Sequence, residues 1–289
     1  MHSNNLLSHR NQEPESSVLY IVGTPIGNLE DISMRAVKIL NKVSLIACED
    51  TRITGKLLKH FKIKNKLISF HKDNSMSRLN YLINKLQEGK SIALVSDSGM
   101  PLISDPGENL VKEVKRNNFD VICISGPCAA ISALVSSGLD TSTFTFYGFM
   151  PKSNSARKLH LKSISNSQNT SIIYESPKRI LKLLIDLKQI CGGKRNIVLL
   201  KEISKRHETH YGNDLDTVIE TIESKDPKGE YTLVISGRDN DEFISSTNEK
   251  DLSIELKELM KAGLSHSAAS NYLSKKSGRS KNEIYKLII

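Results

Sequence analysis

Short apolar runs and longer amphipathic segments alternate along the first half of this chain. Residues 18–22 (VLYIV), 43–48 (VSLIAC), 66–70, 91–95 (SIALV) and 120–124 (DVICI) have the length and near-continuous hydrophobicity of strands buried on both faces. Helical spacing fills the gaps. Ile32, Ala36, Val37, Ile39 and Leu40 share one helical face behind Asp31 or Ser33 as N-cap. A second helix runs from residue 51 to about 61. Leu79, Leu82, Ile83 and Leu86 mark a third, capped by Ser75 and ending near Glu88. Residues 108–117 form a fourth, and a small-residue helix ends near Ser137. Strand and helix in regular alternation predict a parallel sheet covered on both faces.

After the small, polar stretch 136–143 the pattern changes. Strands are predicted at 144–149, 171–174, 196–202, 208–212 and 231–236, with a basic helix at 154–165, a helix from Glu175-Ser176-Pro177 to Ile190, and another at 214–223. These fit a mixed or mainly antiparallel sheet whose strand order the pattern does not encode. Residues 239–251 are polar and acidic and read as a linker. Three helices follow, at 252–261, 265–276 and 281–288, with Ser265 as N-cap and Gly278 as a stop. Ala268, Ala269, Tyr272 and Leu273 are expected to face Ile284, Leu287 and Ile288 in a helix-turn-helix-like unit, which serves either to bind nucleic acid or to pack helices. The expected organisation is a mobile tail over 1–17, a parallel α/β domain over 18–138, a mixed α/β domain over 142–238, a linker over 239–251 and a helical unit over 252–289.

At 289 residues and 38% hydrophobic content, two compact domains with additions are expected. The net charge of +9 favours a polyanionic partner. Cys48, Cys123, Cys128 and Cys191 show no metal or disulfide spacing, and Cys48 and Cys123 sit in apolar runs as core residues, which suits a reducing compartment. His207 and His210 lack companion ligands, so no metal is expected. No run approaches the ~18 apolar residues of a membrane span, and residues 1–17, with Pro14, lack a signal-peptide core. A cytoplasmic protein with no membrane partner is expected.

Candidate chemistry gathers where the strands end. GTPIGN (23–28), EDTR (49–52), SDSGMPLISDPG (96–107) and GPCAA (126–130) each follow a predicted parallel strand, so all four belong at one edge of the sheet, where open α/β sheets bind ligands. The 96–107 loop is far longer than a turn needs. Its X-Pro pairs stiffen it, and Gly99 and Gly107 permit close backbone approach. GTPIGN is neither a phosphate-binding P-loop nor a dinucleotide fingerprint. In EDTR, Glu49 or Asp50 is a general-base candidate, while Asp50 or Thr51 also reads as an N-cap; Arg52 either holds a phosphate or pairs with a carboxylate. In ESPKR (175–179), Glu175 is an acid–base candidate and Lys178 and Arg179 are phosphate contacts, although Pro177 equally suits a helix start. Lys201, Glu202, Lys205 and Arg206 make a further charged cluster, with Lys201 and Lys205 as RNA contacts or as a solvated edge.

GTPIGNLEDIS, ACEDTR, SDSGMPLISDPG, GPCAA, YGFMP, YESPKR and KGEYTLVISG, in that order, resemble the bacterial small-subunit ribosomal RNA methyltransferase I family of the tetrapyrrole-methylase superfamily. The resemblance spans about 18–237, and the last helices are similar to the family's helical appendage. It implies two α/β domains of tetrapyrrole-methylase type with the cofactor cleft between them, S-adenosylmethionine as cofactor, a homodimer, and 2′-O-methylation of a cytidine ribose in the decoding region of 16S rRNA in the 30S subunit. Carried over by motif, the cofactor meets Gly23, Thr24, Pro25, Ile26, Gly27 and Asn28 of the first loop. It also meets Ser96, Asp97, Ser98 and Gly99, then Leu102, Ile103, Ser104 and Asp105, and finally Pro127, Cys128, Ala129 and Ala130. Ser98 and Met100 replace the Ala and Thr usual in the family's DAGTPLISDPG loop. Two alternatives stand beside this reading: a tetrapyrrole-type small-molecule methylase, which the basic charge and the appended helices disfavour, and a non-catalytic ribosome-assembly RNA-binding protein.

Overall fold

The computed structural model describes residues 14–238, 249–277 and 279–288. The first unit runs β1 (Val18–Val22), α1 (Met34–Lys42), β2 (Leu45–Cys48), α2 (Thr51–His60), β3 (Leu67–Ser69), α3 (Ser75–Gln87), β4 (Ile92–Val95), α4 (Glu108–Arg116), β5 (Asp120–Ile124) and α5 (Ala129–Ser137). Its five strands lie in the order β3-β2-β4-β1-β5, all parallel, so every carboxyl end does share one edge. Alternation along β1 sends Val18, Tyr20 and Val22 into a core under α1 and α2, with Ala36, Ile39, Leu40 and Leu58. Leu19 and Ile21 face the opposite core under α3 and α4, with Leu82, Leu86, Leu110 and Val114.

The second unit contains β6 (Phe144–Phe149), α6 (Asn154–Asn166), β7 (Thr170–Glu175), α7 (Pro177–Cys191), β8 (Asn196–Lys201), β9 (Thr209–Asp214), α8 (Leu215–Glu223) and β10 (Tyr231–Ile235). The order is β6-β7-β10-β8-β9; β6 and β7 are parallel and the other pairs antiparallel. Leu183, Leu184, Leu187, Val218 and Ile222 cover one face of this sheet. The other face, with Ile172, Leu200 and Val234, packs on Ala130, Ala133 and Leu134 of α5. The small-residue helix of the first unit is therefore the element that seats the second sheet, and its alanines allow close approach.

The last helices are α9 (Glu249–Lys261), α10 (His266–Ser277) and α11 (Lys281–Tyr285), followed by a 3₁₀ turn, Lys286–Ile288. Leu256, Ala269, Leu273 and Ile284 form their core. Ala268 and Tyr272, expected in that core, are exposed; the apolar residues this helix buries are Ala269 and Leu273. No helix among the described residues is long and apolar enough to cross a membrane.

The structure selects one of the two N-caps read for α1, and three other local expectations are corrected. Ser33 is the N-cap of α1, its hydroxyl accepting from Ala36 N, whereas Asp31 closes a preceding 3₁₀ turn. Ser75 is the first residue of α3, not its cap; Asn74 precedes it and spends its side chain on His71 N and Ser69 O. Cys123 is exposed because β5 is an edge strand, while Cys48 is buried. Residues 16 and 17, read as tail, are fastened by hydroxyl bonds from Ser16 to Gly89 O and from Ser17 to Leu86 O. The tail over 1–13, most of the linker (239–248) and the stop at Gly278 lie outside the described residues.

Candidate active-site cleft

The strand-end loops are knitted to one another. Gly23 N donates to Ile124 O at 3.1 Å, and Thr24 and Gly99 exchange backbone bonds of 2.9 and 3.1 Å. The Thr24 hydroxyl donates to Ser96 O at 3.3 Å. The 96–107 loop is held in an unusual shape, with Leu102 and Ser104 at φ 74° and 68°, a conformation rarely adopted without Gly and persistent only where the surroundings enforce it. Gly107, at φ 139°, leaves no room for a side chain, since a Cβ there would come 2.7 Å from Leu94 Cδ2. The first loop and the GPCAA loop touch backbone to backbone: a Cβ on Gly126 would lie 2.7 Å from Gly23 Cα. Gly126→Ala is therefore expected to destabilise the fold by about 1–3 kcal/mol, the usual cost of overpacking. A lowered melting temperature checks this.

Between the two units lies a cavity of about 350 Å³. The first unit contributes Ile26, Ser98, Gly99, Met100, Ile103, Ser104, Asp105, Cys128 and Ala129, and the second contributes Phe149, Tyr174, Glu175, Ser176, Pro177 and residues 229–232. A second cavity of about 380 Å³ adjoins it, walled by Thr24, Pro25, Gly27, Ser96 and Asp97, by Ile53, Thr54, Lys56 and Leu57 around α2, and by Lys205. Ile26, Ser98 and Glu230 line both, and so form the partition. The GTPIGN loop also locks the units together. Gly27 abuts Ser204 and Lys205, and the Ser204 hydroxyl donates to the Asp31 carboxylate.

Tyr174 fixes the second unit's wall of the first cavity. Its hydroxyl oxygen accepts from Ala130 N at 2.9 Å, and its ring meets Phe146 and Phe149 edge-on at 4.9 and 5.7 Å. Burial, with Cys128 beside it, pushes its phenol well above the ordinary value. Tyr174→Phe leaves the buried Ala130 N–H unpaired, at a cost of about 1–3 kcal/mol. Chemical denaturation is expected to show the loss as a lower midpoint.

The carboxylates differ sharply. Glu49 is raised by burial and then by the Asp105 and Asp97 charges, with Lys72 opposing. Asp97 and Asp105 are also raised, mainly by burial. Asp97 Oδ1 accepts from Asp50 N at 3.0 Å. Asp50, by contrast, caps α2 and is gripped by the Arg52 guanidinium at 2.6–3.2 Å, which holds its carboxyl down at about 2. Glu175 is 1% exposed. Its Oε1 accepts from Arg179 Nε at 2.7 Å and Ser176 N at 2.8 Å. Its Oε2 lies 3.8 Å from Arg157 Nη1 with no hydrogen bond.

Most residues proposed from sequence for the cofactor lie on one or other cavity. Gly23 is packed under the loops, Asn28 caps the 3₁₀ turn at Glu30 N, Leu102 packs against the core under α3 and α4, and Ala130 is buried beneath Tyr174. Pro127 lines neither cavity. Glu49 lies beside Asp97 and Asp105 rather than on a cavity wall. Of the proposed RNA contacts, Arg52 and Lys178 are exposed, Lys201 is half-buried, Arg179 is bound to Glu175, and Lys205 bridges Glu202 at 3.0 Å and Glu230 at 2.9 Å. Of the second-unit wall, sequence reasoning named Glu175 and missed Phe149, Tyr174, Ser176, Pro177 and residues 229–232. YGFMP, YESPKR and KGEYTLVISG held the signal, but only the pairings of Phe149 with Tyr174 across β6 and β7 and of Glu175 with Tyr231 across β7 and β10 bring those motifs together.

A family model described as Tetrapyrrole (Corrin/Porphyrin) Methylases matches residues 18–219. Ribosomal RNA small subunit methyltransferase I of Synechocystis sp. is 44% identical over 270 residues, covering 93% of this chain and 96% of that protein. The protein of that name from Vibrio cholerae is 47% identical over 222 residues, covering 76% of this chain and 77% of its own length. Among solved structures, uroporphyrin-III-C-methyltransferase from Thermus thermophilus superposes with a TM-score of 0.55 at 16% identity, over 76% of this chain and 94% of that one. Cobalt precorrin-4 methyltransferase gives 0.59 at 13% identity, over 76% and 95%. These two likenesses establish the shared fold.

Proposed function

The chain belongs to the tetrapyrrole (corrin/porphyrin) methylase family and, within it, to the ribosomal RNA small subunit methyltransferase I group, and from that membership we propose that it moves the methyl group of S-adenosylmethionine onto the ribose 2′-oxygen of a cytidine in 16S rRNA. It is an S-adenosylmethionine-dependent rRNA methyltransferase; the 2′-oxygen, the cytidine, the assembled 30S subunit as substrate and a cytoplasmic homodimer are the finer parts of the proposal. The observation that carries it is the pair of adjoining cavities at the carboxyl edge of the first sheet, parted only by Ile26, Ser98 and Glu230. The 350 Å³ chamber suits the cofactor in size, since small-molecule sites begin near ~300 Å³. It suits it in chemistry too. Ile26, Ile103 and Tyr174 offer apolar surface to a flat ring, and Asp105 offers negative charge to a cation.

Bound there, S-adenosylmethionine supplies a methyl on a positively charged sulfur that departs as a neutral thioether. The protein's share is to align the hydroxyl from the second chamber with that methyl, a positioning task, and to take its proton. We assign the proton to Glu49. Its raised carboxyl is a better base near neutrality than Asp50, which Arg52 holds ionised, and Glu175 is committed to two arginines. The hydroxyl proton would leave by way of Asp97, which lines the second chamber, to the adjoining Glu49 carboxylate as an oxygen–carbon bond replaces the carbon–sulfur bond. Arg52 and Lys178 are exposed cations fit to meet RNA phosphates. Ile131 and Val135, exposed on α5, suit the contact of a homodimer.

The test is acceptor choice. Protein with methyl-labelled S-adenosylmethionine is offered unmethylated 30S subunits or uroporphyrinogen III. Label in rRNA is expected; label in the porphyrinogen alone would overturn the reading.

A further inference from the structure

On the far side of Glu175 from the cofactor chamber is a separate pocket of about 130 Å³, lined by Pro151, Lys152, Asn154, Arg157, Arg179 and Lys182. It lies where α6 and α7 both begin. Ser153 caps α6 through Ala156 N, so the pocket faces the positive end of a 13-residue helix. The pocket has a fixed base. Arg157 is only 7% exposed, and its guanidinium is held by Asp186 at 2.9 Å and lies 3.8 Å from Glu175. Arg179 is held by Glu175 and by Met150 O at 3.1 Å. Two carboxylates thus oppose two arginines, while Lys152 and Lys182, both exposed, add charge that no carboxylate in the pocket balances.

A small pocket with two anchored guanidinium groups, two lysines and a helix start is built for a compact, multiply oxygenated anion. It has no room for a nucleoside. We propose that it seats one backbone phosphate of the rRNA, an inference that rests on the rRNA reading above. Glu175 forms part of the cofactor wall and holds Arg179 of this pocket, so one side chain ties the phosphate seat to the cleft. A strand fastened there is anchored to the same rigid element that shapes the methyl-donor site. Lys178, although adjacent in sequence, does not line the pocket.

The experiment measures binding of the full chain to unmethylated 30S subunits and to 16S rRNA across salt concentrations. K152A/K182A is compared with K59A/K115A, which removes two exposed lysines on helices of the first unit. The pocket variant is expected to bind about tenfold more weakly and to reduce the salt slope by about 0.7–0.9, the loss of one phosphate contact. Its affinity for S-adenosylmethionine is expected to be unchanged, and the control variant to lose less than about twofold. Unchanged affinity and slope in K152A/K182A would overturn the proposal, as would an equal loss in the control. Titration with inorganic phosphate separates the sources: heat of phosphate binding that vanishes in K152A/K182A, with RNA affinity intact, would assign the pocket to free phosphate and overturn the RNA assignment. Wild-type protein that binds the cofactor but neither RNA would instead sink the rRNA reading itself.

Discussion

Glu49→Gln is expected to slow methyl transfer about 10²–10⁴-fold, the usual contribution of a positioned general base, while leaving cofactor affinity nearly unchanged. Glutamine keeps the shape and loses the proton acceptor. The pH profile carries the same signature. Burial and the neighbouring Asp105 and Asp97 raise Glu49, so the rate is expected to fall with decreasing pH through a value above the ordinary glutamate range. That limb disappears in the variant. Stability runs in the opposite direction. Glu49, Asp97 and Asp105 are all raised in the fold, so the folded state holds their protons more tightly than the unfolded chain. Their favourable contribution is complete below the unfolded pKa and is lost as pH rises through the folded one. At neutral pH, Glu49→Gln is therefore expected to melt no lower than the wild type, and a bound cationic cofactor to raise the melting temperature. A variant that lost fold and activity together would move Glu49 from chemistry to structure.

Glu175→Ala is expected to do the reverse. The carboxylate is 1% exposed and faces Arg179 and Arg157. Removing one partner of a buried ion pair leaves uncompensated charge, at a cost of about 3–5 kcal/mol. Asp186 still neutralises part of Arg157, which places the expected loss at the lower end of that range. Because Glu175 also walls the cavity proposed for the cofactor, cofactor affinity and turnover are expected to fall together with the melting temperature. Calorimetry with a cofactor titration distinguishes the roles. Normal stability and cofactor binding with turnover abolished would make Glu175 the proton acceptor in place of Glu49.

The parallel sheet was legible because each of its strands is an apolar run followed by an amphipathic helix, and the site loops because Gly, Pro and Asp crowd at strand ends where a plain turn needs none. Periodicity names an apolar face but not its partner. Ala130 and Ala133 read as the close of the first unit, yet they pack beneath Ile172, Leu200 and Val234 of the second. Strand order is equally hidden: DVICI reads as one more apolar strand, and only the sheet places β5 at the edge and exposes Cys123. The same gap concealed half the cleft. Tyr174, Glu175 and residues 229–232 become one wall through the β7–β10 register, a pairing between distant segments that no local pattern specifies.

The most direct test of the central claim is where the methyl group lands. Unmethylated 30S subunits are incubated with the protein and labelled S-adenosylmethionine, and the rRNA is cleaved by alkali, which cannot cut beside a 2′-O-methylated ribose. The account predicts all label in one alkali-resistant dinucleotide whose 5′ member is a cytidine. Label in an alkali-sensitive mononucleotide would place the methyl on a base and contradict it, as would an unlabelled 16S rRNA from a protein that binds the cofactor.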